Sequence, residues 1–116
     1  MRLTSKTLET IYLMLCQCKP FSSWKLPCAE EIKFQVTREV DAMGSYRYDP
    51  DSDDYVHYIT ISKEKNGFLE TAIRTMAHEL IHMKRYRTER WDRHDAVFRK
   101  CAHQIAKELG FDPLEL

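Results

Sequence analysis

The segment His78-Glu79-Leu80-Ile81-His82 constrains this chain more than any other, because it sets two imidazoles and a carboxylate inside an otherwise apolar helical pattern. Ile73, Met76, Ala77, Leu80 and Ile81 recur at three- and four-residue steps and predict a helix over about 68–86, set off by the Asn66-Gly67 break. Residues four apart on a helix differ by about 40° around its axis, so His78 and His82 point toward one place. Glu79 lies about 100° from His78, while Leu80 and Ile81 turn inward. Such a helix must bury one side in a core and leave the imidazole side facing a cleft.

The material for that core is limited. The chain has 116 residues, enough for one hydrophobic core and too few for two, so residues 1–116 are expected to form a single domain. With 43% hydrophobic and 31% charged residues and only three Gly and four Pro, it has the composition of a folded globular chain. Eighteen Lys plus Arg balance eighteen Asp plus Glu, so there is no net field to draw in nucleic acid or an anionic membrane, and any basic surface must be local. The longest apolar run, Ile11 to Cys16, falls far short of the roughly 20 residues of a spanning helix, and no signal-peptide pattern opens the sequence. The expectation is a cytoplasmic protein with no membrane partner. Cys16, Cys18, Cys28 and Cys101 are expected as reduced thiols packed against the core, since Cys16-x-Cys18 has no downstream CxxC with which to build a zinc ribbon.

Leu8, Ile11, Tyr12, Leu15 and Cys16 predict a first helix over about 5–18, capped by Thr4 or Ser5 and ended by Pro20. Residues 20–31 read as a loop that Phe21 or Trp24 anchors. Ile32, Phe34, Val36 and Val40 alternate with polar residues and predict a strand over 32–40; further strands are expected at 44–49 and 55–62. The turn between those two has Asp49-x-Asp51-x-Asp53, but Asp54 replaces the Gly and Thr60 the Glu of a calcium loop, which argues against calcium. Phe98, Cys101, Ala102, Ile105 and Leu109 predict a last helix over about 95–109, with Gly110 as its stop. The fold class that follows is α+β: an N-terminal helix, a three-stranded mixed or antiparallel sheet, the HExxH helix and a C-terminal helix.

Zinc ordinarily takes three protein ligands and keeps a fourth position open for catalysis, so two imidazoles need a third partner. The HExxHxxGxxH arrangement fails, because Arg85 and Thr88 stand at its Gly and His positions. His94, His103, His57, Glu89 and Glu108 are the candidates. His94 is preferred: it precedes the last helix, and a twelve-residue connection from His82 lets that helix fold back across the metal helix. Asp95 as N-cap would put Phe98 in the first turn, where it can bury against the metal helix and fix the end that holds His94. His103, two turns on, reads as ordinary core or surface.

His78-Glu79-Leu80-Ile81-His82 followed by His94-Asp95-Ala96-Val97-Phe98 resembles the SprT-like zinc metallopeptidases, the Spartan-related group, whose pattern is HExxH followed by HGxxF. The likeness covers about residues 68–110. It implies a minimal zincin-like core, a Zn²⁺ ion held by His78, His82 and His94, and Glu79 as catalytic acid/base in the hydrolysis of peptide bonds of a protein or peptide substrate, DNA-associated proteins among them. It also implies that the strand over 55–62, beside the cleft, pairs with an extended substrate. Asp95 stands where the family has Gly; it preserves the helix start and adds a carboxylate that could accept a hydrogen bond from an imidazole. With no Cys-rich zinc ribbon after Gly110, DNA-dependent substrates are a weaker expectation.

Two other readings stay open. One is an ImmA-like HExxH protease with a carboxylate such as Glu108 as third ligand; the other is a non-enzymatic nucleic-acid- or protein-binding module. Residues 84–100 hold seven Lys or Arg against Glu89, Asp92 and Asp95, with Tyr86 and Trp91 interleaved, so this segment is the candidate DNA contact. The plainer account is a solvated helix end whose Lys84, Arg85 and Arg87 complement the helix dipole. Tyr46, Tyr86 and Arg90 are the candidate donors to a developing oxyanion.

Overall fold

The computed structural model describes residues 2–116. Thr4, in extended backbone conformation, accepts a hydrogen bond from the Thr7 amide and so starts α1, Ser5–Cys16. The helix stops two residues before the expected limit, and Leu8, Ile11, Tyr12 and Leu15 form its buried side. The loop that follows is anchored by both of its aromatic residues: Phe21 is buried and meets the Trp24 ring edge-on at 5.0 Å. The Tyr12 hydroxyl donates to the Pro27 carbonyl and ties the loop back to α1.

Three strands follow, β1 Ile32–Thr37, β2 Gly44–Tyr48 and β3 His57–Ser62, and the sheet order is β1-β3-β2. β3 is parallel to β1 and antiparallel to β2, so the sheet is mixed. β1 ends short of the expected residue 40 because its last partner pair is Thr37 with Ser62; beyond it no strand continues the ladder, and Val40 is exposed. Since β3 has a neighbour on each side, the strand over 55–62 cannot take up an extended substrate. The free edges belong to β1 and β2. Ile32, Phe34, Tyr46, Ile59 and Ile61 share the core with the helices, and on the other face Thr60 donates to Gln35 at 3.0 Å.

The helix α2, Leu69–Lys84, packs on β2 and β3 and against α1 and α3. Met76, Ala77, Leu80, Ile81 and Met83 are wholly buried, so this helix is the centre of the molecule rather than a surface helix with one wet side. The helix α3, Ala96–Leu109, begins at Asp95, whose carboxylate accepts from the Phe98 amide at 3.1 Å, and ends at Gly110, where φ of 79° suits a residue without Cβ. The result is an α+β domain of three helices and a mixed three-stranded sheet. No helix among the described residues is long and apolar enough to cross a membrane. All four cysteines are free, but only Cys101 is buried and Cys16 half-buried; Cys18 and Cys28 are exposed, because both lie in the irregular stretch after α1 rather than on its apolar side.

Candidate metal centre

Three imidazoles converge where the exposed end of the 85–95 connection crosses α2. His78 and His82 come from successive turns of α2, and His94 comes from the residue before the α3 cap. Their ligating atoms all lie within 4.8 Å of one another. The Nε2 atom of His82 is 3.2 Å from Nε2 of His78 and 3.1 Å from Nε2 of His94. Two ligands at about 2.0–2.1 Å from a tetrahedral ion stand about 3.3 Å apart, so these spacings fit a common first-row cation.

The tautomer of the middle ring strengthens that fit. His82 Nδ1 lies 2.6 Å from the Trp91 carbonyl, an acceptor, so Nδ1 carries the proton and Nε2 of the neutral ring presents a lone pair. That lone pair faces two more ring nitrogens, and a single shared proton could satisfy only one of them. A cation satisfies all three. Burial pushes the pKa values of His78 and His82 down, His78 to about 4; the neighbouring His82 and His94 add to the effect at His78, and His94 and Arg85 add to it at His82, while a backbone hydrogen bond with Leu116 opposes it at His78 and the Trp91 carbonyl opposes it at His82. Neutral imidazoles are the ligating form.

Phe98 forms the floor. Its ring centroid sits 4.9, 5.0 and 4.6 Å from those of His78, His82 and His94, and its side chain is wholly buried. The expectation that Asp95 caps the helix and delivers Phe98 against α2 is met. The further expectation that Asp95 accepts from an imidazole is corrected: its two oxygens take a bidentate pair of hydrogen bonds from Arg85, both 2.8 Å. The Arg85 guanidinium and the Phe98 amide together hold this carboxyl down at about 2. Arg85 also donates to the Arg93 carbonyl at 3.2 Å. A buried arginine thus bolts both ends of the 85–95 connection to the start of α3 and so fixes the residue that carries the third imidazole.

Glu79 is buried beside the triad, and burial alone pushes its carboxyl up to about 8. It lines two clefts that flank the imidazoles. One, of about 250 Å³, runs past Tyr46, Trp91 and Asp92; the other, of about 360 Å³, runs past Met43, Arg74 and Leu116. Both border Gly44 at the start of the β2 edge. A Cβ on Gly44 would stand 2.9 Å from Thr75 Cγ2 and 3.0 Å from the Thr60 carbonyl, so only glycine lets β2 lie this close to α2. The preceding loop is pinned by Asn66, whose Nδ2 donates to the Met43 and Ser62 carbonyls while its Oδ1 accepts from Thr75.

The other candidate ligands lie elsewhere. His57 is buried, with Nδ1 2.7 Å from the Tyr46 hydroxyl and its ring against Tyr86 and Tyr48. His103, Glu89 and Glu108 are exposed and outside the imidazole group. Of the three candidate oxyanion donors, Tyr46 lines the smaller cleft, Tyr86 packs on His57, and Arg90 is exposed. In the basic segment, Arg85 is taken out of the surface by its ion pair, and Tyr86 and Trp91 turn toward His57 and Tyr46; Lys84, Arg87, Arg90, Arg93, Arg99 and Lys100 remain exposed. Sequence reasoning missed the roles of Arg85 and the Trp91 carbonyl. The only signal was a cation three residues after His82 matched by a carboxylate immediately after His94.

Comparison of the chain with family models, with curated proteins and with solved structures gave no match in any of the three. The functional reading therefore rests on the site itself.

Proposed function

We propose that this chain is a zinc-dependent metallopeptidase with a minimal zincin-like, SprT-type core, in which His78, His82 and His94 hold the metal and Glu79 is the catalytic acid/base. The observation that carries the reading is the convergence of three Nε2 atoms, with the His82 lone pair aimed at the other two, directly beside a buried carboxyl. Zinc held there would supply Lewis acidity and an activated water near neutral pH.

The remaining work falls to the chain. Buried beside the three imidazoles and lining both clefts, the Glu79 carboxylate is placed to take a proton from the attacking water and return it to the leaving amine. Phe98 and the Arg85–Asp95 pair keep the imidazoles in place during that exchange. The β2 edge, beside both clefts, is the place for an extended protein or peptide backbone to add as another strand. In this reading recognition runs largely through the backbone and tolerates many sequences, and a contact of the exposed 84–100 cations with DNA would bring DNA-associated proteins within reach.

The test is metal analysis of the purified protein together with hydrolysis of an unfolded protein substrate. One zinc per chain is expected, lost in His94→Ala and kept in Glu79→Gln, with hydrolysis abolished in both. Full hydrolysis by Glu79→Gln would refute the assigned role, and metal binding lost in Glu108→Ala instead of His94→Ala would point to the carboxylate-ligand protease.

A further inference from the structure

The likeness to the SprT-like peptidases stops at about residue 110, yet the chain beyond it comes back to the metal centre, where Glu115 and Leu116 line the larger cleft together with His78. Asp112 accepts from the Leu114 amide at 2.9 Å and starts the short 3-10 turn Pro113–Glu115, which packs on α3. Leu114 is exposed and Leu116 is buried, so the turn is seated by its last residue. Its other anchor is α2. Arg74 Nη1 donates to Glu115 Oε2 at 3.2 Å, and His78, one helical turn further on, makes a hydrogen bond with the main chain of Leu116. Residues 74 and 78 share one side of the helix and residues 115 and 116 are adjacent, so the ion pair sets the Leu116 main chain against the imidazole. His78 Nε2 is turned to His82, at 3.2 Å, which leaves Nδ1 for Leu116. This bond favours the protonated ring, so the main chain is its acceptor. The arrangement repeats that of His82 with the Trp91 carbonyl.

Resting on the metal site of the peptidase reading, we propose that residues 112–116 are a second latch of that site, in which Glu115, gripped by Arg74, is the positioning residue that seats the Leu116 main chain on His78 and so keeps Nε2 of that ring bare toward the ion. The first latch, Arg85 with Asp95, fixes where His94 stands; the second fixes which nitrogen of His78 carries the proton. A neutral imidazole without an acceptor divides between two tautomers, and only the one bare at Nε2 ligates here, so loosening the 112–116 segment costs metal affinity. By reciprocity, bound metal holds the segment in place.

The experiment uses the whole chain with zinc alone as the probe. Zinc affinity is measured against a chromophoric competitor at neutral pH, and the ring nitrogens of His78 are followed in the metal-free chain by nitrogen NMR. Leu116→Asp, which unseats the buried side chain, should weaken zinc about tenfold and turn His78 from one tautomer into a mixture, while His82 keeps its own. Leu116→Met, close in volume, should leave both readouts at the parent's values. Glu115→Gln and Arg74→Gln each break a partly exposed pair and should weaken zinc about threefold, with the urea midpoint of the metal-free chain within error of the parent's; a merely structural residue would shift the midpoint and spare the affinity. Parent affinity in Leu116→Asp, or an unchanged His78 tautomer, would overturn the latch and leave the hydrolytic reading intact. The expected order of zinc affinities in a chain that hydrolyses nothing would sustain the latch and remove the hydrolytic reading.

Discussion

Replacing Glu79 by Gln should make the metal-free protein more stable, by an amount that grows with pH. The folded chain holds the Glu79 carboxyl at about 8 by burying it, against an ordinary value of 4.5. Because the folded pKa is raised, the unfolded chain releases this proton first, and stability is fully present below pH 4.5 and lost as the pH climbs toward 8. Each pH unit in that window costs about 1.36 kcal/mol, which accumulates to about 3 kcal/mol at pH 7 and levels off near 5 kcal/mol above pH 8. Gln keeps the shape and does not ionise, so the variant escapes this loss. The assay is urea denaturation in excess chelator at several pH values from 5 to 9, followed by the fluorescence of Trp24 and Trp91, with midpoints and slopes compared. Variant and parent should match near pH 5 and diverge steadily to pH 8. A difference that stays constant with pH would refute the desolvation argument, and so would a parent more stable than the variant at pH 8.

Arg85→Ala should weaken metal binding by about tenfold, since it frees the connection that presents His94; titration with a chromophoric zinc competitor reads this out, and unchanged affinity would dismiss Arg85 as a positioning residue. Gly44→Ala should cost about 1–3 kcal/mol, because the new methyl meets Thr75 and the Thr60 carbonyl, and a melting temperature within error of the parent would show that β2 can shift at no cost. His78 is held at about 4 in the fold against 6.5 unfolded, so the unfolded chain binds the extra proton in that window and the metal-free protein should lose stability as pH falls from 6.5 toward 4. His78→Gln should flatten that part of the curve, and a parallel pair of stability–pH curves would contradict it.

The His78-x-x-x-His82 spacing, the apolar stripe of the central helix, the Asp95 cap and the Gly110 stop were all legible locally, because each depends on neighbours within four residues along the chain. The α+β order was legible for the same reason. Strand ends were less so: alternation continues to Val40, but β1 stops at Thr37 where β3 runs out of partners. Arg85 reads locally as a dipole-complementing cation at a helix end, whereas its burial and its bidentate partner depend on a connection ten residues long closing on itself. Cys18 and Cys28 read as core thiols by residue type, and their position after the end of α1 exposes them.

By itself, then, the sequence determined that two imidazoles and a carboxylate sit on one amphipathic helix, and it nominated His94 among five residues able to join them. Only the tertiary structure decided between those five, because the distance from residue 82 to residue 94 is set by how the last helix packs through Phe98 and not by the count of residues between them. The structure likewise decided which strand edge is free, since hydrogen-bonding order in a sheet is a global property: β3, the most buried strand, took the middle, and β2 was left open beside the imidazoles.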